Sequence, residues 1–515
     1  MMRLLRRTTG RCGVLAGCGV LAGLFALAMA PCLSACGGEG TVVTTEGIAR
    51  EQDGWLAGDL HLHTKYSDGW DPTAILIALG EYLESDTFVR AHPEYAGNGL
   101  DFLAVTDHRT LDILDDPDFV SDRLILIAGQ EIGGPAHANG FGLTTVVDHD
   151  PDGDGATLDD YRAAVDAVHA QGGLFSPNHP FDKDTPFPWD IRSHDAIEVW
   201  NSGWALISAT MDSSDMAAWE AAHGPASPMF LRATQEQGRG NGFQILRWYE
   251  AQLSRGVHVA LVGGSDRHTG FPPGFPTTWI RAGSPDVAGV LDGIRSRHTF
   301  VSRTPASTQL LLTVEVGGVA YEMGDAIPIP AGGAEATITV RVGRGDGGLL
   351  RLLGGPAVES DAALEDAPLG EVILEEAVAG RDFLTRTELT VMPGDWFYPY
   401  VLDPLVRADA TPEQAELARK IAAEAVSMSG DAVAGLANLV VDILDNFDLL
   451  FDATECDAGE WLPDKLQCLP PDDDGMATFY VPDLFDRALN AVVDNDQLTD
   501  WCMGAVGSAV LFMSE

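Results

Sequence analysis

The sequence predicts an α/β protein in which a parallel barrel or a doubly wound sheet is followed by a small β-sandwich and then by a helical region. Short apolar runs alternate with amphipathic helical patterns over residues 55–306, as expected of repeated βαβ units. Strand-like segments with Gly-rich turns occupy residues 307–403, and a helical pattern begins within residues 404–515. All 13 histidines lie between His61 and His298, so imidazole chemistry is confined to the first region.

The predicted strands of the first region bring polar residues to one edge of the fold. Their C-terminal ends coincide with histidines and carboxylates, among them His63, His108 and Glu131. In parallel barrels the active site lies at this end of the strands. The runs interpreted as strands are 55–63, 100–108, 124–132, 138–147, 173–179, 196–200 and 257–266, with helical patterns at 73–83 and 158–171 between them.

The second and third regions are predicted from residue patterns alone. Alternating apolar and polar residues predict five strands in the β-sandwich, with turns such as GRGDGG between them. Thr411 and Gln414 have the spacing of a capping box, and Pro412 suits the first helical position, so we expect a helix that runs toward residue 449. The five predicted strands are 309–316, 336–342, 371–378, 383–392 and 396–402.

Composition limits the classes of function. The chain has 515 residues, a length that predicts more than one domain, and 45% of them are apolar, as in folded domains. It carries 31 Lys and Arg residues against 77 Asp and Glu residues, which gives a formal net charge of −46. Nucleic acid is bound through clustered basic residues, so this charge argues against a nucleic-acid partner. The sequence leaves the oligomeric state open.

The N-terminus has the features of an exported lipoprotein. Arginines between Arg3 and Arg11 precede an apolar run over 13–30, which is typical of a secretory signal peptide. The sequence LSAC, ending at Cys36, resembles a bacterial lipobox and implies cleavage before Cys36 and its lipidation. We therefore expect a signal peptide over 1–35 and a linker over 36–54. The lipid would anchor the protein to the outer membrane or cell surface of a Gram-negative-type bacterium, because Gly37 rather than Asp follows the cysteine.

Three further cysteines lie near the C-terminus, and export would place them in an oxidising compartment. None of them adjoins a histidine or belongs to a C-x-x-C motif, so we interpret them as structural. Cys456 and Cys468 are close enough in the chain to close a short disulfide loop, but the odd count with Cys502 leaves the pairing open.

The segment GDLHLHTKYSDG at 58–69 contains the first candidate metal ligands. On a strand His61 and His63 point to the same face, because side chains alternate with a period of two. An H-x-H pair alone fits two structural histidines equally well. Further histidines and carboxylates at strand ends strengthen the metal interpretation, and such a mixture suits more than one ion of zinc, manganese or iron. These further candidates are His108, Glu131, His137, His179, Asp266 and His268.

Five motifs follow the order found in one superfamily. HLHTKYSDG, DFLAVTDH, AGQEI, PNHP and GGSDRH resemble the successive motifs of the PHP (polymerase and histidinol phosphatase) superfamily of metal-dependent hydrolases. The resemblance covers residues 54–306 and implies a distorted (β/α)7 barrel whose mouth holds about two to three divalent ions. Export and the trailing β-domain make the chain most similar to CehA/McbA-type metallohydrolases. The implied ligands are His61, His63, Asp68, His108, Glu131, His137, His179, Asp266 and His268, with His137 aligned by its order in the chain.

The implied reaction is hydrolysis of a small-molecule ester. Divalent ions close together lower the pKa of a bridging water and provide a hydroxide nucleophile. Lys65, Arg109 and Arg267 adjoin the motifs and would either bind phosphoryl oxygens or pair with the abundant carboxylates. We expect a phosphoester substrate. A carboxyl or carbamoyl ester is the alternative for the same site, and a surface-binding protein without turnover is the alternative of another class.

A second cation motif lies at 148–159. Acidic residues at positions 1, 3, 5 and 12, with Gly153 at position 6, have the spacing of an EF-hand calcium loop. No helical pattern precedes the motif and its last position is Asp, so a solvated acidic turn is an equally good interpretation. The candidate calcium ligands are Asp148, Asp150, Asp152, Asp154 and Asp159.

Overall fold

The computed structural model describes residues 48–49, 54–91, 93–134, 136–151, 156–180, 190–201, 241–268, 273–357, 366–404 and 501–514. The predicted signal peptide with Cys36, the helical pattern at 411–449, and both Cys456 and Cys468 lie outside these residues. The described residues form a mixed α/β fold, so the predicted class is confirmed.

Five strands that are neighbours in the chain are also neighbours in the first part of the main sheet: β1 (Trp55–Asp59), β2 (Phe102–Val105), β3 (Ile125–Gly133), β4 (His137–Phe141) and β5 (Leu174–Pro177). The first three are parallel, while β4 runs antiparallel to both β3 and β5. Gly58 pairs with Phe102, and a Cβ at residue 58 would lie 2.3 Å from the phenyl ring. Glycine is therefore required for β1 and β2 to approach each other.

Two more strands, β6 (Ala196–Asn201) and β7 (Ala260–Gly264), form a separate parallel pair. The chain beyond β7 returns to the chain beyond β1, because the His63 N–H donates to the Arg267 carbonyl at 3.0 Å. On the other side, the Asp195 N–H donates to the Phe175 carbonyl at 2.9 Å. These bonds place β7 beside β1 and the start of β6 beside the start of β5. Continuous strand pairing does not close a ring within the described residues, so the (β/α)7 barrel stays a prediction.

The described part of the chain contains five α-helices: α1 (Thr73–Tyr82), α2 (Asp86–Ala91), α3 (Leu158–Ala170), α4 (Asn241–Ser254) and α5 (Val287–Arg295). Short 3-10 turns lie at Pro93–Tyr95 and Asp112–Asp115. α3 begins at a capping box in which Thr157 and Asp160 bond each other's backbone N–H, and it buries an apolar face that starts at Tyr161. Among these helices none is long and apolar enough to cross a membrane.

The main sheet continues from the first region into the second. β8 (Thr277–Arg281) is antiparallel to β1 and to β9 (Thr299–Ser302). β9 then pairs with β18 (Trp501–Gly507), which lies beside β17 (Trp396–Pro404). One 13-stranded sheet therefore connects the candidate barrel with the β-rich region.

All five strands predicted within 307–403 are present in the second region, and three more accompany them. The strands besides β17 are β10 (Gln309–Val316), β11 (Val319–Glu322), β12 (Ala326–Ile329), β13 (Ala334–Gly343), β14 (Leu349–Gly355), β15 (Glu371–Ala377) and β16 (Asp382–Val391). A four-stranded sheet in the order β11-β10-β13-β16 packs on the main sheet through a shared apolar core, which includes Leu312, Ile338, Leu350 and Val401.

The described end of the chain differs from the predicted helical region. Residues 501–514 form β18 and β19 (Val510–Ser514) instead of a helix. Both strands are inserted in the main sheet, and Ala505, Val506, Val510 and Phe512 are buried in apolar cores. A strand covered on both faces is a continuous apolar run, and periodicity alone does not distinguish such a run from a buried helix.

Candidate metal centre

The segment after β1 directs two imidazoles to one point. His61 and His63 are both fully buried, and their Nε2 atoms lie 3.2 Å apart. Leu60 and Leu62, which alternate with them, pack into two apolar clusters away from this point. The side-chain directions therefore match the period-two interpretation of the H-x-H motif.

Glu131 on β3 lies at the centre of the predicted ligands. Its carboxylate is buried and contacts five imidazoles, which approach it from four different segments of the chain. The distances from a carboxylate oxygen to the nearest ring nitrogen are 3.4 Å for His61, 3.2 Å for His63, 3.1 Å for His108, 3.1 Å for His137 and 3.4 Å for His179.

Two aspartates complete the cluster. Oδ1 of Asp266 lies 3.3 Å from Nε2 of His61 and 3.1 Å from Nε2 of His63. Asp68, in the turn after His63, lies 3.4 Å from Nε2 of His108 and 3.2 Å from Nε2 of His268. The structure thus brings all nine predicted ligands into one cluster.

Three overlapping groups within this cluster could each hold a cation, since the nitrogen and oxygen atoms of each group lie within 4.8 Å of one another. Ligand atoms about 2.0–2.2 Å from a shared cation lie about 3.0–3.5 Å apart, and the 3.1–3.4 Å contacts of Glu131 match that spacing. The residues present therefore fit divalent transition metals. The groups are His63, Asp68, His108 and His268; His61, His63, Glu131 and Asp266; and His108, Glu131 and His137.

Opposite charges in this cluster shift the pKa values of its members. Burial by itself would raise the pKa of Glu131, but the charges of His61 and His137 outweigh burial and lower that pKa well below its usual value. Burial would also lower the pKa of His63, yet hydrogen bonds to Asp266 and Glu131 raise it to about 9. Positive charge is therefore strongly favoured next to both carboxylates, whether a proton or a cation supplies it.

Backbone strain is concentrated at the same place. His179 has a φ of 27° and Asp266 a φ of 51°, which is the left-handed region that residues other than glycine rarely adopt. Each such residue costs roughly 1–3 kcal/mol and persists only where its surroundings hold it. The Asp266 N–H donates to the His61 carbonyl at 2.9 Å, and the His179 N–H donates to Glu198 at 2.9 Å.

Three polar residues that support the cluster were not among the predicted site residues. Asp107 accepts bonds from Thr64 and Ser67 and so fixes the turn between His63 and Asp68. Asn178 donates to Glu131 at 3.1 Å, and Glu198 lies 2.9 Å from Nδ1 of His61. Asp107 and Asn178 lie inside the DFLAVTDH and PNHP motifs, and Glu198 lies between the apolar residues Ile197 and Val199. These positions are the sequence signals from which the three supporting residues could have been predicted.

The three basic residues next to the motifs have different surroundings. Arg267 is buried, and its guanidinium donates to the carboxylate of Asp71. Arg109 and Lys65 are exposed. The Arg109 backbone N–H donates to the Glu131 carbonyl at 3.0 Å, which holds this residue at the rim of the cluster. Of the three, Arg109 and Lys65 are thus accessible from solvent.

The candidate calcium loop is described only in part. Asp152 and Asp154 lie outside the described residues. Oδ1 of Asp148 accepts the backbone N–H of Asp150 at 3.1 Å, and Asp159 lies in the first turn of α3 with its carboxylate 2.8 Å from Arg162. Calcium binding therefore stays a prediction.

Neither a protein-family model nor a curated protein matches the chain. It is similar to a solved two-domain protein from Bacteroides vulgatus that contains a predicted PHP-like metal-dependent phosphoesterase, at 16% identity and a TM-score of 0.28, over 68% of this chain and 91% of that one. It is also similar to PsfC from Pseudomonas syringae, at 14% identity and a TM-score of 0.26, over 47% of this chain and 89% of that one. TM-scores this low carry no argument about function, so a proposed function has to rest on the geometry of the site.

Proposed function

We propose that this protein is a PHP-type metal-dependent hydrolase that cleaves a phosphoester bond in a small molecule. The main support is the position of Glu131, whose buried carboxylate lies within 3.4 Å of five imidazoles. Imidazole and carboxylate ligands suit manganese, zinc or iron, and a cluster of this size suits about two to three ions.

Divalent ions held in this cluster would activate water and stabilise negative charge on the attacked group. The chain itself holds the ligands and leaves one side accessible. His61, His63 and Glu131 are buried and form the floor of the site, whereas the side chain of Asp68 is 56% exposed and that of His268 is 35% exposed. A substrate would therefore enter from the side of Asp68 and His268. Lys65 and Arg109 are exposed and lie next to ligand motifs in the chain, so their charges would complement phosphoryl oxygens.

The first region, in this proposal, is the distorted (β/α)7 barrel of the CehA/McbA type. The support is the backbone pairing of the segment after β1 with the segment after β7, and of the Phe175 carbonyl with the N–H of Asp195. The five sequence motifs, in the PHP order, give independent support. The β-rich region, which contains none of the predicted ligands, would cover the outside of this barrel.

A hydrolysis panel tests the proposed reaction. The purified protein, supplied with manganese, zinc or iron, is assayed on an aryl phosphomonoester, an aryl phosphodiester and an aryl acetate. We expect turnover of at least one phosphoester and its loss in His61→Ala and Asp266→Ala. His169→Ala is the matched control, because His169 is a half-exposed histidine of α3 that pairs with Asp195 and does not belong to the cluster. Turnover of the acetate alone would favour the carboxyl ester alternative, and metal binding without any turnover would favour a surface-binding protein.

We also propose that the protein is exported and attached to a membrane by a lipid on Cys36, with no nucleic-acid partner. The support is the basic and apolar N-terminal pattern followed by LSAC. Expression with a labelled fatty acid should label the wild type and leave Cys36→Ser unlabelled. Equal labelling of both proteins, or recovery of the wild type in the cytoplasmic fraction, would contradict export by this route.

A further inference from the structure

Glu198 is a buried carboxylate that contacts the cluster without belonging to any of its ligand motifs. It lies on β6 between the apolar residues Ile197 and Val199 and is 2% exposed. Its Oε1 lies 2.9 Å from Nδ1 of His61. Its Oε2 accepts the backbone N–H of His179 at 2.9 Å and Nδ2 of Asn201 at 3.0 Å. One side chain thus contacts two predicted ligands that come from different strands.

The packing around this contact leaves it little freedom. Gly264 lies against the pair, and a Cβ at that position would lie 2.3 Å from Cβ of His61 and 3.0 Å from Oε1 of Glu198. Asn201, besides its bond to Glu198, lies 3.2 Å from Oδ2 of Asp266. Glu198 therefore connects β1, the turn after β5, β6 and, through Asn201, the segment after β7.

We propose that Glu198 is a positioning residue that fixes His61 in the tautomer with its proton on Nδ1. This inference rests on the proposed metal-dependent function. With Nδ1–H donated to Glu198, the lone pair of His61 lies on Nε2, the atom 3.4 Å from Glu131 and 3.3 Å from Asp266. Metal-ligating histidines commonly donate their other ring N–H to a carboxylate, which orients the ring and raises its basicity.

Replacement by glutamine should reverse this arrangement. A glutamine side chain has one acceptor oxygen and one NH2 donor, whereas the Glu198 carboxylate faces donors at both oxygens. The backbone N–H of His179 and Nδ2 of Asn201 both point at the Oε2 position, so the amide oxygen takes that place. The NH2 group then faces Nδ1 of His61. To accept this bond, His61 must carry its proton on Nε2, where it blocks metal binding.

The test is metal affinity, measured by competition with a chromophoric chelator on the full chain. Zinc and manganese serve as the probes. We expect Glu198→Gln to weaken the metal group that contains His61 by roughly 10–100-fold. The matched control is Glu250→Gln, because Glu250 is also buried and accepts bonds from Tyr398 at 2.6 Å and Gly370 at 2.9 Å, but its partners lie outside the cluster. Unchanged metal affinity in a folded Glu198→Gln protein would overturn the proposal.

A double variant separates positioning from a general structural role. If Glu198 acts through His61, then Glu198→Gln should cost little further metal affinity in a His61→Ala background. Equal losses in both backgrounds would overturn the proposal. Nitrogen NMR of the metal-loaded wild type needs no variant and should find the His61 proton on Nδ1; a proton on Nε2 would refute it. Metal binding that depends on Glu198 without hydrolysis of any ester would refute the proposed function and support the role of Glu198.

Discussion

Arg267 and Asp71 form a buried ion pair that joins the two segments carrying most of the cluster. The guanidinium of Arg267 donates to the carboxylate of Asp71, while the carbonyl of the same arginine accepts the His63 N–H at 3.0 Å. Asp71 in turn accepts the Lys65 N–H at 3.1 Å through its carbonyl. The pair therefore holds the turn between His63 and Asp68 against the segment of Asp266 and His268.

Arg267→Met should reduce the free energy of unfolding by roughly 3–5 kcal/mol, because it leaves the Asp71 charge buried without this partner. The double variant with Asp71→Asn should recover part of that loss. Urea unfolding of the wild type and the variants, with metals bound, measures the loss of unfolding free energy and its partial recovery. An unchanged unfolding free energy combined with a raised KM for a phosphoester would instead assign Arg267 to substrate binding.

His194 should make the protein less stable below about pH 6.5. Its ring is stacked on Trp248 at 5.7 Å, and its burial lowers its pKa from 6.5 to about 3. Between those two pH values the unfolded chain binds a proton at this residue that the folded chain does not, so stability falls as pH falls. At pH 5 the loss is roughly 2 kcal/mol, at 1.36 kcal/mol per pKa unit.

His194→Phe keeps a ring on Trp248 and removes this titration. Thermal unfolding at pH 7 and pH 5 should therefore separate the two proteins more at pH 5, with the variant losing less stability. Parallel curves for the wild type and His194→Phe would show that His194 is not buried in its neutral form.

Calcium is expected to stabilise the protein if 148–159 forms a calcium loop. Extracellular sites of this kind bind with Kd of about 0.1–1 mM, so 10 mM calcium would add about 1–3 kcal/mol. The measurement is the melting temperature with and without calcium, in protein whose transition metals stay bound. Asp150→Asn should abolish the effect. The same midpoint with calcium and with chelator would identify the segment as a solvated acidic turn.

Local sequence patterns were sufficient to predict much of the fold and of the site. Alternation in HLH placed both imidazoles on one face, and the alternating segments after residue 307 gave all five predicted strands within a few residues of their observed bounds. Most of the nine predicted ligands meet because they follow the end of a strand, where a chain-local signal and the architecture coincide. Glu131 lies inside β3 and His137 begins β4.

The features of the fold and the site that the sequence did not predict depend on contacts between distant parts of the chain. Arg267 adjoins a ligand motif, as a substrate-binding residue would, and its ion pair with Asp71 is a contact that the sequence alone does not show. Glu198 is 137 residues from His61, so no spacing connects them. Neighbouring residues of β18 and of the first part of β19 are buried in two different apolar cores, and burial of both faces removes the alternation on which strand prediction depends.

Metal content per chain, measured by mass spectrometry on the wild type and on Glu131→Gln, tests the central claim most directly. Glutamine keeps the shape of Glu131 and removes the charge that faces five imidazoles. We predict about two to three transition-metal ions in the wild type and a clear loss in the variant, with the fold retained. A wild-type protein that is fully stable without metal, or a variant that binds as many ions as the wild type, would contradict the account.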